Sequence, residues 1–210
     1  MAPRFFLACL GLIAATTASA QFQSLVVEEV DNRGTVPGKT YRIYAQMEAE
    51  GDVIDAVFGD GEDYLEVKST APFFQHPQGV NAANELQRSM VQGSTDGLQY
   101  DSWVTIGYED NYMNALTAFL MDFSEFESGS RLYTNNGAWF VTPDMRQAAA
   151  GPDGKLLLMQ LTTEGDISGR INLHGRTRPL PLRDAGERAM YPDSVISRLI
   201  DVRGIELDIR

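Results

Sequence analysis

Two groups of side chains in this sequence could do chemistry at short range. The first is acidic: Asp60, Glu62 and Asp63, with Glu66 close by, on a turn flanked by Gly59 and Gly61. Calcium takes six to eight oxygen ligands, and a glycine-rich acidic loop can supply several of them. The spacing departs from the EF-hand pattern of alternating acids, glycine and a distant glutamate. Calcium held by Asp60, Glu62 and Asp63 is therefore one expectation, and an acidic turn that needs no ion is the other. The second group is aromatic. Trp103 lies out of phase with Val104 and Ile106, Trp139 precedes Phe140, and Phe73 and Phe74 lead into His76 and Pro77. Flat ring faces near strand ends can stack on sugar rings while an acid such as Asp101 fixes hydroxyls. Trp103, Trp139 and Asp101 are accordingly the expected ligand-binding residues. An out-of-phase tryptophan also suits packing beneath a second layer, because a large sandwich needs bulky residues in its interior.

Catalytic signatures are sparse. The two histidines, His76 and His174, stand nearly a hundred positions apart, so no H-E-x-x-H metal pair exists. The sequence holds no G-x-S-x-G elbow, phosphate loop or dinucleotide fingerprint. His174 falls on the polar side of its segment with Ser168, Arg170 and Asn172, as a solvated histidine would. A glycosidase needs only two carboxylates roughly 5 to 9 Å apart across a cleft. Spacing alone does not single out such a pair among 29 acidic residues.

The N-terminus bears on where such a site would work. Arg4, an uncharged apolar run over 5–15, and Ala18-Ser19-Ala20 form the three zones of a cleavable secretion signal. The run is far shorter than the roughly 20 apolar residues of a membrane span, so the mature chain is expected to begin near Gln21 without a transmembrane anchor. Cys9, the single cysteine, lies inside that signal. The mature chain then has no thiol for disulfides, zinc or nucleophilic attack, and a domain of this size can bury enough core without them. There is no Asn-x-Ser/Thr acceptor either. Both absences favour a bacterial exported protein, extracellular or periplasmic. The net charge of −12 repels phosphate backbones, which argues against a nucleic-acid partner. A cluster of Arg170, Arg176, Arg178, Arg183 and Arg188 contrasts with the acidic front half and reads as scattered surface charge or as a docking face.

The elements that would position these residues are mainly strands. Over 40–48, Tyr41, Ile43, Ala45 and Met47 alternate with Arg42, Tyr44, Gln46 and Glu48, the period of a strand wet on one face. Further strands are expected over 24–30, 53–58, 64–68, 100–108, 138–142, 155–163, 167–173 and 205–209, separated by Gly, Pro, Asn and Asp turns. The segments 155–163 and 167–173 read as a hairpin. Residues 82–91 suggest one short helix, 113–120 suit either helix or strand, and the charged stretch from 183 suggests a short helix before the last strand. The pattern predicts an all-β fold over 21–210: one antiparallel β-sandwich domain, Ig-like or jelly-roll-like, with one or two short helices.

Four stretches, LVVEEV at 25–30, VPGKTYRIYA at 36–45, YDSWVTIG at 100–107 and LLMQLTT at 157–163, carry a resemblance. They resemble a loosely defined, largely uncharacterised group of exported bacterial proteins with an Ig-like or cohesin-like β-sandwich. The resemblance implies that fold and an extracellular location, and it implies no catalytic residues. Together these readings predict a secreted binding or structural module whose partner is a polysaccharide or a cell-surface protein. An extracellular carbohydrate-active hydrolase with paired carboxylates is the alternative.

Overall fold

A computed structural model describes residues 22–181 and 195–210. The signal-peptide expectation, Arg183 and Arg188 fall outside these residues. The fold is an all-β sandwich of two mainly antiparallel sheets with two short helices. No helix among the described residues is long and apolar enough to cross a membrane.

Sheet I has the order β1-β2-β9-β5, from β1 (Phe22–Val30), β2 (Lys39–Met47), β9 (Lys155–Thr163) and β5 (Trp103–Val104). Its inner face carries the alternating Tyr41, Ile43, Ala45 and Met47 into the core. The turn before β2 needs Gly38, whose φ is +79° and where a Cβ would sit 2.2 Å from the Thr163 carbonyl oxygen.

Sheet II is built around β10 (Ile167–Arg176). One edge of β10 pairs with β13 (Leu199–Ile209); the other pairs with β3 (Val53–Gly59) and β4 (Leu65–Ser69) in succession. Asn172 faces Phe58 and Arg170 faces Glu66, so β3 and β4 are one interrupted strand from which residues 60–64 loop out. On the next line β7 (Arg131–Thr134) pairs with β4 and β8 (Gly137–Phe140) pairs with β3, while β6 (Thr117–Phe119) closes that end against β8. Asn172 is fully buried and pins the interruption: Nδ2 donates to the Phe58 and Asp63 carbonyls at 2.9 and 2.8 Å, and Oδ1 accepts from Gly204 N–H at 2.8 Å. The small ribbon β11 (Leu180–Pro181) with β12 (Val195–Ile196) completes the strands.

Several local readings change. The strand expected over 100–108 shortens to β5 after a 3-10 turn at Leu98–Tyr100, because the carbonyls of Gln99, Tyr100 and Asp101 accept from β9 side chains rather than from a strand ladder. The segments 155–163 and 167–173 are strands but not a hairpin, since β9 belongs to sheet I and β10 to sheet II. The turn at Glu164–Asp166 is a corner between layers; the apolar residues of both strands serve one core from opposite sides. The single helix expected over 82–91 is instead a 3-10 turn at Ala83–Glu85 followed by α1 (Arg88–Gly93), and the ambiguous 113–120 yields β6. The second helix, α2 (Ser124–Glu127), buries Phe126 against Phe73. The final strand is longer than expected, because a bulge opposite Ile171 and Leu173 lets β13 follow β10 almost throughout.

Nearly every residue of β9 is buried, which a strand with one wet face cannot achieve. The cause lies in the chain between 74 and 101, which lies over the outer face of sheet I as a cap. Gln160 Nε2 donates to the Gln99 and Asp101 carbonyls at 3.0 and 2.9 Å, and Thr162 Oγ1 donates to the Tyr100 carbonyl at 2.6 Å. The polar side chains that interrupt the apolar run of β9 are therefore the staples of the cap, and their burial is compensated by hydrogen bonds.

Candidate functional site

The expected ligand-binding residues are organisers of the interior. Trp139 is 0% exposed in the main core, and its Nε1–H donates to the Thr105 carbonyl at 3.0 Å. Trp103 is 1% exposed and does point away from the main core, but the cap covers it; it packs with Ala83, Leu86, Leu98 and Leu157 in a separate apolar cluster. Neither indole offers a ring face to solvent, so stacking on a sugar is not open to them. Asp101 is fully buried, and its Oδ1 and Oδ2 accept from the His76 and Val80 backbone N–H groups at 2.7 and 2.8 Å. Burial pushes its carboxyl up to about 6, against the opposing pull of the backbone N–H groups of His76, Val80 and Ser102. Its place is the root of the cap rather than a ligand surface.

The acidic loop is likewise occupied from within. Asp60 Oδ1 accepts from the Asp63 and Glu62 N–H groups, and its Oδ2 accepts from Arg203 at 2.6 Å. Asp63 pairs with Arg170 and, at 3.4 Å, with Arg203. The Asp63 N–H, followed by Arg203 and the Glu62 N–H, holds the Asp60 carboxyl below its usual range. Two guanidinium groups from β10 and β13 thus supply the positive charge for which Asp60, Glu62 and Asp63 suggested calcium. Among the described residues no group of three or more His, Cys, Asp or Glu side chains is placed to share a metal ion.

What the fold does assemble is a cleft on the outer face of sheet I, beside the cap. Strand β2 contributes Arg42 and Tyr44, β9 contributes Lys155, α1 contributes Arg88, and the loop after β5 contributes Gly107 to Met113. Three adjoining depressions of about 320, 300 and 220 Å³ share Glu109 as a common wall. The loop is held from below. Buried Gln147 donates to the Ile106 carbonyl at 3.0 Å and to Asn114 Oδ1 at 2.9 Å, and it accepts from Ala115 N–H at 2.8 Å. Gly107 permits this close approach: with φ at +78°, a Cβ there would stand 1.9 Å from the Gln147 carbonyl oxygen.

Most of the charges lining the cleft are matched in pairs, and Arg146 and Asp153 add one of each sign. Arg42 pairs with Glu109, Arg88 with Asp110 at 2.7 Å, and Lys155 with Glu28 at 2.5 Å. The Asp110 and Glu28 partners raise the titration of Arg88 and Lys155, respectively, so both remain cationic. Three tyrosines stand among these pairs. The Arg88 guanidinium lies 4.3 Å from the Tyr112 ring centroid, the Lys155 ammonium lies 5.8 Å from that of Tyr44, and Tyr108 lines two of the depressions. Tyr112 is 58% exposed and Met113 beside it 74%. Burial raises the Tyr44 phenol above its ordinary range, leaving it a neutral donor and acceptor. Such a surface offers ring faces, hydroxyls and fixed ion pairs with little net charge.

None of Arg42, Tyr44, Arg88, Tyr108, Glu109 and Tyr112 stood out in the sequence. Arg42 and Tyr44 were legible as the wet face of a strand, and Tyr-Glu-Asp-Asn-Tyr-Met over 108–113 as a turn-rich aromatic run, but nothing local joins the two. A second depression, about 500 Å³, lies on sheet II among Tyr64, Glu66, Ser168, Arg170, Glu206 and Asp208. His174 Nδ1 and Asp55 Oδ1 also meet on sheet II at 2.6 Å, away from the cleft. Comparison with protein-family models, curated proteins and solved structures finds no match to this chain.

Proposed function

We propose that this protein is a secreted binding module whose cleft takes a carbohydrate. The observation that carries this reading is the grouping of Tyr44, Tyr108 and Tyr112 with internally neutralised ion pairs in one cleft. A polyhydroxylated, uncharged ligand suits such a surface: rings cover its apolar face, and fixed charged groups exchange hydrogen bonds with its hydroxyls. Nucleic acid does not suit it, given the overall charge of −12. Export is supported by the three-zone N-terminus, and fractionation of cells expressing the full chain tests it: a processed product outside the cytoplasm agrees, and an unprocessed cytoplasmic one refutes it.

Calorimetry against soluble oligosaccharides tests the binding. Tyr112→Ala and Tyr44→Ala should each weaken the best ligand about tenfold, the scale of a lost aromatic contact. Unchanged affinity in both variants would refute the assignment of the cleft.

A specific feature favours one second reading. Glu66, Arg170 and Glu206 stand in register across β4, β10 and β13 along the sheet II depression. Lys68 and Arg131 hold the Glu66 carboxyl below its usual range, which keeps it ionised. Polysaccharide turnover lost in Glu206→Gln would establish a hydrolase with paired carboxylates.

A further inference from the structure

Trp103 presents an unusual account of its hydrogen bonds. Its indole Nε1 is buried and has no acceptor among the described residues, whereas the Nε1–H of Trp139 is satisfied by the Thr105 carbonyl. A buried donor without a partner costs roughly 1–3 kcal/mol, so its persistence calls for a reason. Trp103 also lines the 220 Å³ arm of the cleft, whose other walls include Arg42, Arg88, Gln99, Glu109 and Asp110. That arm is polar except where Trp103, Leu86 and Val91 close it. Its cover on one side is α1, a six-residue helix that fully buries none of its side chains and has no side-chain cap. Met90 and Val91 alone among its residues pack partly against the Trp103 cluster.

We infer that Trp103 is the specificity donor of the cleft: a hydroxyl oxygen of a neutral sugar enters this arm as α1 gives way and accepts from the indole N–H. The inference rests on the carbohydrate reading of the cleft and adds to it the residue that fixes the ligand's orientation. The Arg42–Glu109 and Arg88–Asp110 pairs leave the arm near neutrality, which favours a sugar hydroxyl over a carboxylate or phosphate. The role is that of an edge donor, so full burial of the ring faces is compatible with it. An apolar replacement of similar shape should lose orientation and affinity together.

The two tryptophans make the test internally controlled. The folded protein, labelled with ¹⁵N-tryptophan, is titrated with cellohexaose, xylohexaose, mannohexaose and chitohexaose, and its two indole N–H resonances are followed. With a sugar that binds, the Trp103 resonance should move and that of Trp139 should stay. Trp103→Phe, assigned by the loss of one resonance, should bind the same sugar about tenfold more weakly, the scale of one hydrogen bond. Binding that leaves the Trp103 resonance in place, or a Trp103→Phe variant with undiminished affinity, overturns this inference and leaves the cleft standing. If none of the four sugars binds, the carbohydrate reading and the inference fall together.

Discussion

Asp101 offers a measurement in which one buried carboxylate reports the balance between burial and hydrogen bonding. Its oxygens are fully covered and receive the His76 and Val80 N–H groups, yet burial still raises its titration from about 3.8 to about 6. For an acid raised on folding, the stabilising contribution is fully present below the unfolded value and is lost as pH rises through the folded one. At pH 8 both states have lost the proton, and the shift corresponds to a penalty of about 3 kcal/mol. At pH 5 the folded carboxyl is mostly protonated while the unfolded one is not, and the penalty is about 1.6 kcal/mol. Asp101→Asn keeps the shape and removes the titration. The stability gap between the two proteins should therefore move by about 1.4 kcal/mol in favour of the asparagine variant between pH 5 and pH 8. The comparison is made by urea unfolding, with tryptophan emission as the probe of both buried indoles. Other titrating groups are common to both proteins and cancel to first order. A gap that stays constant would show that the backbone N–H groups balance burial, and one that moves towards the wild type as pH rises would show that they outweigh it; either result refutes the reasoning.

Three further outcomes are expected. Asn172→Ala leaves two carbonyls and one N–H unpaired where β3, β4 and β13 meet, and should lower unfolding stability by about 3 kcal/mol or more; a loss under about 1 kcal/mol would mean that the pin is dispensable. Gly107→Ala forces a Cβ against the Gln147 carbonyl at positive φ; it should destabilise the fold by about 2 kcal/mol and weaken sugar binding together, and a variant with unaltered stability and binding would count against a rigid loop. Neither millimolar calcium nor a chelator should move the melting temperature, because Arg170 and Arg203 already pair with Asp63 and Asp60; a shift of several degrees would show a cation displacing them.

The contrast between Trp103 and Tyr44 shows how far local patterning reaches. Alternation placed Trp103 on the face opposite Val104, and that is where the chain carries it. Alternation says nothing of what lies beyond that face, and here a cap stapled by Gln160 and Thr162 turns an exposed position into an interior one. Tyr44 read as part of the wet face of β2 and belongs to the cleft, because the cap stops short of it and the loop after β5 rises beside it. The acidic turn followed the same logic. Asp60 and Asp63 were legible as a cluster of charge, but Arg203 lies about 140 positions away in the chain, and only sheet pairing brings it across.

By itself the sequence determined the long strands β1 to β4, β9 and β10, because side-chain direction repeats every two residues and an apolar alternation can be buried in only one way; the short β7 was not legible in it, and the strand read over 100–108 was too long. It determined the turn sites, which follow from the φ preferences of Gly and Pro, and the all-β class that those signals add up to. The tertiary structure alone decided which strands share a sheet, so that 155–163 and 167–173 part into opposite layers and 53–59 and 65–69 join into one line. It also decided which wet face is roofed and which carboxylates find arginines. Pairing between distant segments depends on the whole set of buried surfaces at once, a quantity that no local window of residues contains.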